Sequence, residues 1–130
     1  MKLVTKEIAE RLLANGRCTA RGDEQDFAPV VKFFNPCGAA TWLITEMDPE
    51  CNDILFGLCD LGFGFPELGS VSLSELQAIR LPLGLRIERD LHFITHWPLS
   101  VYTEAARMSG CIVESENLLE KASQLLDGKR

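Results

Sequence analysis

Val30-Val31-Lys32-Phe33-Phe34-Asn35-Pro36-Cys37-Gly38-Ala39-Ala40-Thr41-Trp42-Leu43-Ile44-Thr45-Glu46 is the stretch that decides the fold. Apart from Lys32 its first five residues are β-branched or aromatic, Asn35-Pro36-Cys37-Gly38 has turn chemistry, and Trp42, Leu43 and Ile44 sit between threonines. That composition fits a pleated, half-buried surface better than a helix. It predicts strand, turn, strand. Farther on, Ile54-Leu55-Phe56-Gly57-Leu58-Cys59 is a continuous apolar run, as expected of a strand covered on both faces. Strands over Val30–Phe34, Ala40–Glu46 and Ile54–Leu61 would form the centre of a mainly antiparallel sheet.

Outward from this centre the chain alternates breakers with helical patterns. Thr5 can cap a helix over Lys6–Ala14, with Ile8 and Leu12 on one face and Asn15-Gly16 as a left-handed stop. Arg17–Asp26 has no period. After the third strand, Leu61-Gly62-Phe63-Gly64-Phe65-Pro66-Glu67-Leu68-Gly69 suits a hairpin or a loop of close backbone approach. Gly62-x-Gly64 is not a phosphate loop, because a third spaced glycine, a Gly-Lys-Ser/Thr ending and a directly following helix are missing. Ser72-Leu73-Ser74-Glu75 reads as a capping box opening a helix to about Ile79, which Leu81-Pro82-Leu83-Gly84 ends. A further strand is expected near Ile87–Phe93, a helix from Pro98-Leu99-Ser100 to about Met108 with Gly110 as its stop, and a helix over Glu116–Leu126.

The architecture expected is α+β, a sheet of about four to five strands packed with three to four short helices in one compact domain over residues 1–130. Core candidates are Ile8, Leu12, Val31, Phe33, Trp42, Ile44, Leu55, Phe56, Leu58, Leu73, Leu76, Ile79, Leu91 and Phe93. A chain of 130 residues can bury roughly 65–70% of its unfolded surface and needs no staples. The 46% hydrophobic and 25% charged residues are those of an ordinary globular protein, which excludes collagen-like and largely disordered readings. No signal peptide and no apolar run of membrane-spanning length is visible, so a cytoplasmic protein without membrane contact is expected. Cys18, Cys37, Cys51, Cys59 and Cys111 are odd in number and lack a C-x-x-C pair, which reads as reduced thiols. A zinc site from Cys37, Cys51 and Cys59 would lack the usual closely spaced ligand pairs.

Charge is the feature that points toward function. Thirteen Lys and Arg face nineteen Asp and Glu, for a net charge of −6, which disfavours a surface that coats nucleic acid. Between Phe33 and Ile79 there is no Lys or Arg, while Glu46, Asp48, Glu50, Asp53, Asp60, Glu67 and Glu75 are all acidic. An acidic face there would attract basic protein surfaces. Its expected partner-binding residues are Glu46, Asp48, Glu50, Asp53, Asp60 and Glu67. A solvated surface in a mildly acidic protein is the plainer reading of the same residues. Asp48–Asp53 has oxygen side chains in calcium-loop order, but Asp53 stands at the required glycine and Cys59 at the bidentate Glu, which excludes an EF-hand.

Ile87-Glu88-Arg89-Asp90-Leu91-His92-Phe93 carries the competing chemistry. If extended, it places Glu88, Asp90 and His92 on one face, a carboxylate and imidazole set that could hold Mg or Mn and serve a metal-dependent phosphodiesterase or nuclease. The alternative is a polar strand face with Arg89 paired to a carboxylate. No G-x-S-x-G and no catalytic-thiol signature occurs.

Together Val31-Lys32-Phe33-Phe34-Asn35-Pro36, Thr41-Trp42, Thr45-Glu46-x-Asp48-Pro49-Glu50, Asp53-x-Leu55-Phe56-Gly57, Glu67-Leu68-Gly69, Ser72-Leu73-Ser74-Glu75-Leu76 and Ile87–Phe93 resemble a bacterial domain-of-unknown-function family. Its members are small cytoplasmic proteins carried by plasmids, integrative elements and phages. The resemblance spans about Lys2 to Ser100, leaving residues 101–130 as a helical C-terminal extension outside the pattern. It implies a mobile genetic element as habitat and no particular reaction, although some members carry nuclease-like names. The function expected is a non-enzymatic accessory protein without cofactor, binding a basic protein or protein–nucleic-acid complex of the host through the acidic face. Inhibition of a defence or DNA-processing complex, of anti-restriction or anti-CRISPR type, would be its purpose.

Overall fold

The structure, a computed structural model, describes residues 2–129. In chain order they form α1 (Lys6–Ala20), β1 (Val31–Phe34), β2 (Thr41–Met47), β3 (Ile54–Asp60), β4 (Glu67–Ser72), α2 (Leu73–Ala78), a single 3-10 turn at Pro82–Gly84, β5 (Glu88–Arg89), α3 (Leu99–Ser109) and α4 (Glu116–Gly128). The five strands make one sheet in the order β4-β3-β2-β1-β5, every pairing antiparallel. This is the α+β fold expected from the sequence.

Both sheet faces are covered. On one face Val31, Phe33, Trp42, Ile44, Met47 and Leu55 pack with Leu12 of α1 and Leu76 of α2; on the other Leu43 and Leu58 pack with Tyr102, Ala105, Leu119 and Ala122 of α3 and α4. Double coverage explains why β3 reads as an unbroken apolar run.

Three expectations need correction, and the hairpin-or-loop alternative after β3 resolves as a hairpin. The strand near Ile87–Phe93 shrinks to Glu88–Arg89 because the chain turns at Asp90, and Leu91, expected in the core, is left exposed. β4, too rich in glycine and serine to show a strand period, completes the hairpin that begins in β3. Ile8, Phe56, Leu73, Ile79 and Phe93 are half-buried members of the core rim. Lastly, α1 does not stop at Asn15-Gly16 but runs on to Ala20.

The reason for that last difference lies in β2. Its pairing with β3 slips between Ile44 and Glu46, so that Ile44 faces Gly57 but Glu46 faces Phe56. This bulge inserts one residue, Thr45, and one inserted residue moves every later side chain to the opposite face. Met47 thereby enters the α1 side of the core, and Glu46 turns to the other face beside Phe56. The Thr45 carbonyl accepts from Asn15 Nδ2 (2.9 Å). Gly16 then lies so close to β2 that a Cβ there would be 1.9 Å from the Met47 carbonyl oxygen. Asn15-Gly16 is the seat of α1 on the bulge rather than a helix stop.

Candidate functional site

With Glu46 turned outward by the bulge, a trough opens between the end of α1, the connector after it and the sheet. Its volume is about 490 Å³. Thr19 and Ala20 of α1, Glu24 and Gln25 of the connector, Glu46 and Asp48 of the β2 end, Ile54–Phe56 of β3 and Ser70 of β4 line it. A second hollow of about 380 Å³ shares Gln25, Glu46 and Phe56 and continues past Leu68 toward Glu104 and Leu126. Neither is lined by a Lys or Arg. The floor is apolar and the rim is acidic.

The carboxylates differ in what already occupies them. Asp48 accepts the Glu50 backbone N–H (2.8 Å) in a turn. Glu24 and Glu46 have neither a hydrogen-bond nor an ion-pair partner among the described residues. Glu104 is taken: Arg107 (2.6 Å) and Lys129 (3.3 Å) hold it, and the Arg107 hydrogen bonds pull its pKa down to about 2. Asp26 is taken as well. It accepts the Ser100 N–H (3.1 Å) and the Ser100 hydroxyl, capping α3 from across the fold, while Leu99 N–H donates to the Phe27 carbonyl (2.9 Å). The connector is thereby pinned along the trough.

The six acidic residues expected on one face are distributed among different tasks. Glu46 and Asp48 meet in the trough, and Glu50 is exposed on the adjoining turn. Asp53 instead binds the start of α2, accepting from Ser72 Oγ (2.5 Å), Ser74 N–H (2.8 Å) and Ser74 Oγ (2.9 Å). Those donors, the Ser72 hydroxyl first, hold its pKa below the usual value. Asp60 leaves the surface altogether. At 2% exposure it accepts the Gly62 N–H and the Ile112 N–H, both at 2.9 Å, and ties the β3–β4 loop to the α3–α4 connection. Glu67 is exposed at the opposite end of the sheet, where β4 begins.

Glu88, Asp90 and His92 border one shallow depression of about 320 Å³, but Lys32 and Phe34 share it. Lys32 Nζ lies 3.6 Å from Asp90 and 2.6 Å from Glu114, and the other Asp90 oxygen accepts the His92 N–H (2.9 Å). A cation of the protein itself is thus paired with Asp90, one of the two carboxylates there. Among the described residues no three His, Cys, Asp or Glu side chains are grouped to hold a metal ion, and this covers Cys37, Cys51 and Cys59. Among those residues, too, no helix is long and apolar enough to cross a membrane.

Sequence reading missed Glu24, Gln25 and Ser70 as trough residues. Nothing periodic marks them, since the connector is placed by Asp26 and Phe27 bonding to α3. It also left open the form of the segment after β3, whose loop holds Gly62 and Gly64 at φ 90° and 89° and leaves Phe63 and Phe65 each 79% exposed.

Among known proteins, no curated sequence matches the chain and no solved structure matches it. A family model does, under the description Protein of unknown function (DUF2958), over residues 3–113. That span takes in the whole sheet, the trough walls from α1 to β4, and α3, and it ends before α4. The chain therefore belongs to the DUF2958 family.

Proposed function

We propose that the protein is a non-enzymatic binding module that captures a cationic side chain of a basic protein, or of a protein–nucleic-acid complex, in its acidic trough. The observation that carries this reading is the pair Glu24 and Glu46, unpartnered carboxylates over the apolar floor of Ile54, Leu55 and Phe56. Arginine and lysine combine an apolar stem with a charged head, and such a trough offers each part its complement. The lack of any Lys or Arg between Phe33 and Ile79 leaves the negative potential of this region uncancelled by that segment, which favours fast encounter with a positive surface. The finer expectation, a mobile-element accessory protein acting on a host defence or DNA-processing complex, is supported by the family resemblance alone.

Charge placement can be separated from net charge by two variants that change it equally. Glu24→Lys/Glu46→Lys alters the trough, and Glu10→Lys/Glu120→Lys alters exposed helix positions without bonded partners. With a labelled hexa-arginine peptide as probe, fluorescence anisotropy at low salt should show roughly tenfold weaker binding for the first variant and little change for the second, since losing two local ion pairs and gaining repulsion costs about 1–2 kcal/mol. Equal losses in both would mean that net charge alone attracts the probe and that the trough is not a site.

A further inference from the structure

The trough ends at β4, and β4 is the sheet's long free edge. The opposite edge, β5, has two residues; β4 has six, Glu67-Leu68-Gly69-Ser70-Val71-Ser72, and pairs among the described strands only with β3. Edge strands in folded proteins are usually blunted by lysines, prolines or bulges, because their unpaired backbone groups are a template for another strand. Glu67–Ser72 contains no Lys and no Pro, and its register with β3 runs without a slip.

The direction of its backbone groups follows from the ladder. Leu73 N–H donates to the Asp53 carbonyl (2.8 Å), one step beyond the Ile54–Ser72 pair. Bonded and non-bonded pairs alternate in an antiparallel ladder, so Leu55–Val71, Gly57–Gly69 and Cys59–Glu67 are bonded pairs. Phe56–Ser70 and Leu58–Leu68 are not. The N–H and C=O groups of Leu68 and Ser70 therefore point away from the sheet. The side chains of the same two residues line the hollows, Ser70 the first and Leu68 the second.

We propose that β4 is a strand-addition site, where an extended basic segment of a partner protein pairs with Leu68 and Ser70 and lays alternate side chains toward the trough. Main-chain bonds to an edge give such complexes affinity, and pockets for every second side chain give them specificity. A side chain opposite Ser70 would share a row with Ser70, Phe56 and Glu46, which are cross-strand neighbours. An arginine there would run its stem over Ser70 and Phe56 toward Glu46. The charge of the occupant rests on the trough reading. A second copy of this chain fits poorly, because pairing β4 with itself would set two segments that lack Lys and Arg from Phe33 to Ile79 against each other.

The test uses the intact chain and a peptide alternating arginine and valine, with a proline-interrupted peptide of like charge as comparison. Amide exchange should slow by about tenfold or more at Leu68 and Ser70 when the alternating peptide binds, and change little at Gly69 and Val71, whose N–H groups are already bonded to β3. Ser70→Pro removes an outward N–H without touching the ladder, a placement proline tolerates at an edge, and should abolish binding. The exchange measurement decides the matter even if that variant misfolds. Binding that leaves the Leu68 and Ser70 amides unprotected, or equal binding of the interrupted peptide, overturns strand addition while leaving the trough reading intact. Protection that arises without peptide and grows with protein concentration overturns it in favour of self-pairing. If Ser70→Pro loses the peptide and Glu24→Lys/Glu46→Lys keeps it, strand addition stands and the trough reading falls.

Discussion

A carboxylate's role is fixed by the donors that reach it, and for Asp26, Asp53 and Asp60 decisive donors come from 19 to 74 residues along the chain. Asp53 is served by Ser72 and Ser74, Asp60 by Gly62 and Ile112, Asp26 by Ser100, while Glu24 and Glu46 are served by none of the described residues. The number and sign of these charges are legible in the sequence. Their division into structural and free groups is not, because it depends on tertiary neighbours. Asp53 gives the division a measurable consequence. Its folded pKa lies below the ordinary 3.8, so the unfolded chain takes up the proton more readily. The stabilisation is then fully present above the ordinary value and is lost as pH falls through the lowered one. We expect Asp53→Asn to lower the urea midpoint at pH 7 and to narrow the gap between the pH 7 and pH 3 midpoints; the change should be modest, since this carboxylate is open to solvent screening. An unchanged gap would show that the serine hydroxyls do not hold the charge.

Elements show the same contrast between local and distant causes. The start of α2 is readable because its signal is local: Ser72 Oγ accepts the Glu75 N–H (3.2 Å) within the capping box itself. The end of α1 is misread because Asn15-Gly16 has local stop chemistry that a tertiary contact overrides. Asn15 is drawn to the bulge carbonyl of Thr45, and Gly16 allows the helix to touch the strand. A methyl group at Gly16 would meet main chain, the Met47 carbonyl, which cannot swing aside as a side chain could. Gly16→Ala should therefore destabilise the protein by about 1–3 kcal/mol or more, although alanine is the better helix former. A denaturant midpoint equal to or above the original would show that α1 is not seated on the bulge. β4 was illegible for a related reason: with Gly69, Ser70 and Ser72 in six residues, its strand character comes from pairing with β3 and not from its own composition.

At the scale of the whole molecule, one sheet serves two helical layers, and one tryptophan reports on each. Trp42 is buried with Phe33 and Leu12 on the α1 side, whereas Trp97 packs against the α3–α4 side and donates its indole N–H to Glu116 (3.0 Å). The two layers share β2 and β3, and neighbouring residues such as Trp42 and Leu43 belong to opposite faces. Loss of either layer would expose apolar strand surface, so the domain should unfold as one cooperative unit. Leu119, 1% exposed on α4, provides the perturbation, because Leu119→Ala removes a fully buried side chain at a cost of about 2–5 kcal/mol. We expect that cost to appear equally in two single-tryptophan proteins, Trp97→Phe reporting through Trp42 and Trp42→Phe reporting through Trp97. The family match ends before α4, which makes the alternative specific. If Leu119→Ala lowers the Trp97 midpoint and leaves the Trp42 midpoint in place, the α3–α4 layer is a separate cooperative unit laid on a sheet that holds together without it.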